Sequence, residues 1–237
     1  MTVSMPVTTE AQVASWHALM DLHRALPGRW TIVGGQMVHL HCAERDAFPV
    51  RPTDDADALL DVKAHPSVLE DFTAGLVDAG FAPLTSGSGH QHRWRKGDAQ
   101  IDVLISDKLG DRKTYRTITG APTVGTPAAA LVLARSDDLT IEVEGRIGTV
   151  RRPTLLGSLI AKGAAHSVAD GRDRHRQDFA MLAAMLRADD LRDADLTRGE
   201  RRYLTRMLAA TRDDAVALEI SPDTRNGLAR LETILKA

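Results

Sequence analysis

Apolar residues recur at helical spacing between Thr9 and Leu26, at Val13, Trp16, Leu19, Met20, Leu22 and Leu26. That period predicts an amphipathic helix with Thr8 or Thr9 as N-cap, ended by Pro27-Gly28. Trp30 to Val33 is a short β-type run that meets Gly34-Gly35, and a helical pattern resumes from Gln36 to Cys42. Strand, glycine turn and helix thus follow one another. Ala56 to Val62 reads as a strand, and His65-Pro66-Ser67 opens a helix through Ala79. Phe81 to Leu84, Gln91 to Arg95 and Gln100 to Ile105 read as further strands, with Lys96-Gly97-Asp98 as a hairpin turn. Asp107 to Pro122 is loop-like, a short helix follows over Ala128 to Ala134, and Leu139 to Val143 with Ile147 to Val150 makes a second hairpin.

After Pro153 the pattern turns helical: Leu155 to Ala165, Gln177 to Leu186, Thr197 to Ala210 and Pro222 to Leu235. The expected architecture is therefore α/β (α+β), a mixed sheet with flanking helices over residues 1–152, followed by a helical half over residues 153–237. At 237 residues and 43% hydrophobic, the chain can bury a sizeable core. A net charge of −2 argues against nonspecific coating of nucleic acid, although a local basic groove remains open. The single Cys42 excludes an intramolecular disulfide or a cysteine zinc cage, and it reads as a small buried thiol in a reducing compartment. No secretory signal is visible, and no apolar run approaches the roughly 20 residues of a membrane span, so the expected location is cytoplasmic.

Three segments carry chemistry. Gly34-Gly35 between strand and helix lets backbone N–H groups approach a phosphate; steric need in a tight turn is the alternative. In Arg51-Pro52-Thr53-Asp54-Asp55-Ala56-Asp57 the acids at 55 and 57 are two apart on a strand and point to one side. Two parallel carboxylates call for a cation, and Mg²⁺ suits them, with substrate phosphate filling its shell. An acidic loop in solvent, or an Asp54/Asp57 pair, is the other reading. Asp102, inside the apolar run Ile101 to Ile105, requires a metal or a salt bridge to Arg93 or Arg95 across the hairpin.

A glycine turn, two acids on one strand and a third on a later strand resemble the nucleotidyltransferase superfamily related to polymerase β. More narrowly, GGQMVHLH, RPTDDAD and IDVLIS resemble the AbiEii/MenT type of nucleotidyltransferase toxin, over roughly residues 30 to 185. The resemblance implies a polymerase β-like fold and a metal site of Asp55, Asp57 and Asp102 holding Mg²⁺ or Mn²⁺, with Asp102 assisting deprotonation. It implies a nucleoside triphosphate (NTP) held by Gly34, Gly35, Arg51, Thr53 and Lys162. Asp178 would orient that nucleotide or close its pocket. It further implies a tRNA 3′ end as acceptor, a growth-inhibiting toxin, and a protein antitoxin as partner. This chain departs from the pattern at Ala56, where an aliphatic residue is usual, and at His175, where the family has an acid. A small-molecule nucleotidyltransferase of the aminoglycoside-modifying kind shares the same layout, and so would a noncatalytic nucleotide- or partner-binding protein.

Other candidates read as structural. His39 and His41 point apart on a helix. His90 and His92 lack a third metal ligand. Arg151, Arg152, Arg172, Arg174 and Arg176 read equally as a solvated basic face or an RNA path.

Overall fold

The computed structural model of the chain describes residues 2–110, 115–168, 172–192 and 194–236. β1 (Val3–Ser4) precedes α1 (Glu10–Ala25), whose N-cap is Thr9, accepting from the Gln12 amide. α1 buries Trp16, Leu19, Met20 and Leu22, the stripe that its sequence period marked. β2 (Trp30–Val33) is buried at all four positions and runs directly into α2 (Gly34–Glu44). β3 (Asp55–Leu60), α3 (Val68–Asp78), β4 (Ala82–Leu84), β5 (Arg93–Lys96) and β6 (Ala99–Ser106) follow. The expected loop from Asp107 includes residues 111–114, which lie outside the described residues. Then come β7 (Val124–Thr126), α4 (Ala129–Ala134), and the hairpin of β8 (Ser136–Val143) and β9 (Arg146–Pro153).

The strands form two sheets, of which the larger is the expected mixed sheet with flanking helices. The larger runs β2-β3-β6-β5-β4, with β7 also on β6. β3 and β6 are parallel and the other neighbours on that path antiparallel, so this sheet is mixed. The smaller sheet is β1-β8-β9, with β1 parallel to β8. It stands against β2, where the Thr31 hydroxyl donates to the Arg151 carbonyl at 3.3 Å. Trp30 sits where the layers meet, 0% exposed, with the Phe72 ring edge-on at 5.3 Å. Truncating such a side chain costs roughly 3–5 kcal/mol.

Pro153 closes β9 and Thr154 caps α5 (Leu155–His166), so the change of character near residue 152 coincides with a change from strand to helix. α6 (Arg172–Ala184), α7 (Arg198–Arg212), α8 (Ala215–Leu218) and α9 (Thr224–Lys236) complete the helical half. α6 begins five residues before the expected Gln177, which turns the charged run Arg172 to Arg176 into helix. α9 lies so close to α6 that a Cβ on Gly227 would stand 1.7 Å from the Ala183 carbonyl oxygen. One continuous cluster of buried side chains extends from Val3 to Leu231 and includes both halves. Among the described residues, no helix is long and apolar enough to cross a membrane.

Candidate functional site

A single row of paired residues crosses four strands of the larger sheet. Val33 of β2 pairs with Asp57 of β3, Asp57 with Asp102 of β6, and Asp102 with Arg93 of β5. Residues paired side by side point to the same face of a sheet, and so does Asp55, two residues before Asp57. The register thus brings Asp55, Asp57 and Asp102 onto one face, at the end of the sheet where β2 gives way to α2. Asp54, the alternative member of the pair, turns away and accepts from the Thr9 hydroxyl at 3.2 Å.

The two glycines have a specific steric task. Gly34 has φ +73°, and a Cβ built on it would stand 1.7 Å from Asp57 Oδ2. Gly35 faces the Thr53 side chain, which a Cβ would meet at 2.8 Å. The turn is glycine because Asp57 and Thr53 lie against the bare backbone. The N-terminus of α2 carries no side-chain cap and no acid in its first turn, so its dipole and N–H groups face this region uncancelled. Thr53 is fixed from behind: its carbonyl accepts from Gln36 Nε2 at 2.6 Å and from Gln12 Nε2 at 3.0 Å. His39 Nε2 donates to the Arg51 carbonyl at 2.8 Å. Neither glutamine stands out in the sequence, since amide side chains carry no spacing signal of their own.

The electrostatics are those of crowded carboxylates. Burial, then the charges of Asp102 and Asp55, push the Asp57 carboxyl up to about 7, against a downward pull from Lys162 and Arg174. Asp55 is also raised, by desolvation and then by Asp102. Asp102 differs: the Arg93 guanidinium forks onto it, Nε to Oδ1 and Nη2 to Oδ2, both 3.2 Å. Among the described residues, no group of three or more His, Cys, Asp or Glu side chains is arranged to hold a metal ion. In this arrangement Arg93 engages Asp102, the third carboxylate of the expected metal site. Asp55 and Asp57 remain as a two-carboxylate donor set short of positive charge. Such a set fits Mg²⁺ or Mn²⁺ arriving with a phosphate ligand, since Mg²⁺ needs only one or two protein carboxylates when phosphate oxygens and water complete its shell.

A second cluster is joined to the first by charge. Lys162 of α5 and Asp178 of α6 are each 3% exposed. Lys162 Nζ donates to Asp178 Oδ2 at 2.7 Å, and Arg51 Nη2 donates to the same oxygen at 3.0 Å. Burial alone would raise the Asp178 carboxyl, but Lys162 and Arg51 outweigh it and hold the group below its ordinary range. His175 lies one helical turn before Asp178, buried, its pKa pushed down to about 4 by burial and then by Lys162 and Arg174. The start of α6 at Arg172 puts His175 and Asp178, three apart, on one buried helix face.

The remaining candidates are structural. His41 Nε2 sits 2.8 Å from Ser158 Oγ and joins α2 to α5. Cys42 is buried, its thiol pushed up to about 12 by burial and then by Asp178. His90 bonds to Ser88. Arg151, Arg152 and Arg176 are tied to Asp138, Glu44 and Asp214 respectively. Glu200 caps α7 and pairs with Arg135. Cavity size does not mark this site. Volumes of about 870 Å³ beside α1 and about 790 Å³ beside α4 lie elsewhere, lined by neither Asp57, Asp102, Lys162 nor Asp178.

No protein-family profile matches the chain, and no curated protein matches it. Two solved structures resemble it across most of its length. One is a crystal structure of an antigenic nucleotidyltransferase-like protein from Paracoccidioides brasiliensis, 14% identical, TM-score 0.48, covering 90% of this chain and 94% of the other. The second is the solution structure of the antibiotic-resistance factor ANT(2'')-Ia, 15% identical, TM-score 0.47, covering 90% and 97%.

Proposed function

We propose that the chain is a nucleotidyltransferase that moves a nucleoside monophosphate from an NTP to an acceptor hydroxyl. The observation that carries this reading is the row Val33–Asp57–Asp102–Arg93, which sets crowded carboxylates against the uncapped start of α2. Asp55 and Asp57 would hold Mg²⁺ or Mn²⁺, which when bound supplies charge neutralisation at the reacting phosphate. The α2 N-terminus at Gly34 and Gly35, with Thr53 fixed beside it, offers backbone N–H groups to phosphate. Lys162 and Arg51 offer cations that Asp178 now occupies. In the transfer, the acceptor oxygen bonds to the α-phosphorus while the bond from that phosphorus to pyrophosphate breaks. The hydroxyl proton passes to Asp102, whose orientation Arg93 sets.

The resemblance of GGQMVHLH, RPTDDAD and IDVLIS to nucleotidyltransferase toxins supports a tRNA 3′ end as acceptor and a protein antitoxin as partner. The experiment is incubation with α-labelled NTPs and MgCl₂, offering tRNA and aminoglycosides as separate acceptors. Wild type is expected to label tRNA, and Asp57→Ala to lose at least about a hundredfold in rate. Label on the aminoglycoside instead would move the acceptor to small molecules. Binding of NTP without divalent metal and without transfer would make the chain a noncatalytic binder, and equal transfer by Asp57→Ala would remove the site assignment.

A further inference from the structure

His175 is buried, 9% exposed, and neither Nδ1 nor Nε2 has a hydrogen-bond partner. Arg51 Nε is in the same condition, buried and unpaired, although Arg51 Nη2 reaches Asp178. Two unpartnered ring nitrogens thus belong to the residue one helical turn before Asp178, and a third to the guanidinium that binds Asp178. Leaving such a buried atom unsatisfied costs about 1–3 kcal/mol, so its retention calls for a reason. His23 and His92 each leave Nδ1 buried and unpaired, but burial of a histidine does not by itself leave both nitrogens so. His41 is 2% exposed and bonds to Ser158, with Glu44 at 3.3 Å from its other nitrogen, and His39 bonds to the Arg51 carbonyl.

The groups around His175 define the missing partner. Lys162 and His166 of α5, with Arg174 and Asp178 of its own helix, are the charged or titratable groups whose fields act on it. Lys162, Arg174 and Arg51 favour an anion, and Asp178 is the internal anion that two of them hold. A neutral imidazole beside cations donates one N–H to an anionic oxygen and offers its second nitrogen to a hydroxyl. A nucleoside triphosphate carries both partners.

We infer that His175 contacts the nucleotide directly, one ring nitrogen donating to a triphosphate oxygen and the other accepting from a ribose hydroxyl, in a subsite that Arg51 and Lys162 complete. The inference rests on the nucleotidyl-transfer reading and seats the triphosphate at the meeting of α5, α6 and the Arg51 loop.

The test compares wild type, His175→Leu and His175→Asn by calorimetric titration with ATP, CTP, GTP and UTP in MgCl₂ and with inorganic tripolyphosphate, alongside thermal melting and KM. Without ligand, His175→Leu is expected to melt at or above wild type, because it removes two unsatisfied polar atoms. Its affinity for the preferred NTP should fall at least about tenfold, and for tripolyphosphate by less, since that anion lacks the hydroxyl. KM should rise with kcat nearly unchanged. His175→Asn, which keeps a donor and an acceptor, should stay within about threefold of wild type. Equal NTP affinity in His175→Leu overturns the inference. So does a His175→Leu chain that melts well below wild type or does not fold, because a side chain without partners has no contact to lose. If wild type binds NTP without transferring it, the contact stands and the transfer reading falls. If wild type binds neither NTP nor tripolyphosphate, both fall.

Discussion

The contact between Asp57 and Gly34 ties local backbone geometry to the chemistry of the site. Two costs oppose a side chain at Gly34. The residue sits at φ +73°, which charges an alanine roughly 1–2 kcal/mol, and its Cβ would overlap Asp57 Oδ2. Overpacking of that kind adds about 1–3 kcal/mol. Gly34→Ala is therefore expected to lose about 2–5 kcal/mol in urea denaturation. In an Asp57→Ala background the overlaps with Oδ2 and Cγ are gone and only the residue 57 Cβ, at 3.1 Å, stays close, so the same substitution should cost nearer about 1–2 kcal/mol. A double-mutant cycle measures the difference. Full additivity would show that Asp57 does not lie over Gly34.

At the scale of elements, α2 and β9 are clamped by one carboxylate. Glu44, at the end of α2, receives Arg152 Nη2 of β9 at 2.7 Å and lies 3.3 Å from His41 Nδ1. Burial works to raise the Glu44 carboxyl, yet hydrogen bonds from His41 and Arg152 prevail and bring it down to about 2. A depressed carboxylate contributes stability above its unfolded value, near 4.5, and loses it as pH falls toward 2. Glu44→Gln should thus cost on the order of 2–3 kcal/mol at pH 7, a difference that shrinks steadily below pH 4.5. Urea denaturation at pH 7 and pH 3 checks this, and a gap that stays constant with pH would refute it. Elements such as these were legible in the sequence where the pattern was local. The period of α1, the hairpin at Gly97 and the run at Gln100 all announce themselves. β1, two residues long, and β7, three, are strands through pairing alone and have no period to show. The charged start of α6 hid a helix because its apolar stripe begins later. Alternation marked β8 and β9 as strands without saying which sheet they join. In the same way, spacing placed Asp55 and Asp57 together, but the register that sets Asp102 beside them is a long-range pairing, and Arg93's hold on it a choice between two arginines.

Across the whole molecule, the Asp178 carboxylate joins the strand-bearing half to the helical half. Arg51 reaches it from the loop before β3, and Lys162 from α5. Removing one member of a buried ion cluster leaves the others uncompensated, typically at about 3–5 kcal/mol, whereas replacing the charges together is far milder. Asp178→Asn is expected to show that loss, and Asp178→Leu with Lys162→Met to lose less than Asp178→Asn does. If Asp178 also stands where a phosphate would draw on the same cations, its removal frees an anion site. Inorganic tripolyphosphate should then raise the melting temperature of Asp178→Asn more than that of wild type, because in the variant the added anion meets Arg51 and Lys162 with no carboxylate to displace. By mass action, a ligand at a hundred times its dissociation constant contributes about 2.7 kcal/mol, enough to recover much of the variant's deficit. Adding NaCl at matched ionic strength separates this from general screening. Equal stabilisation of both chains would leave Asp178 as a structural joint alone.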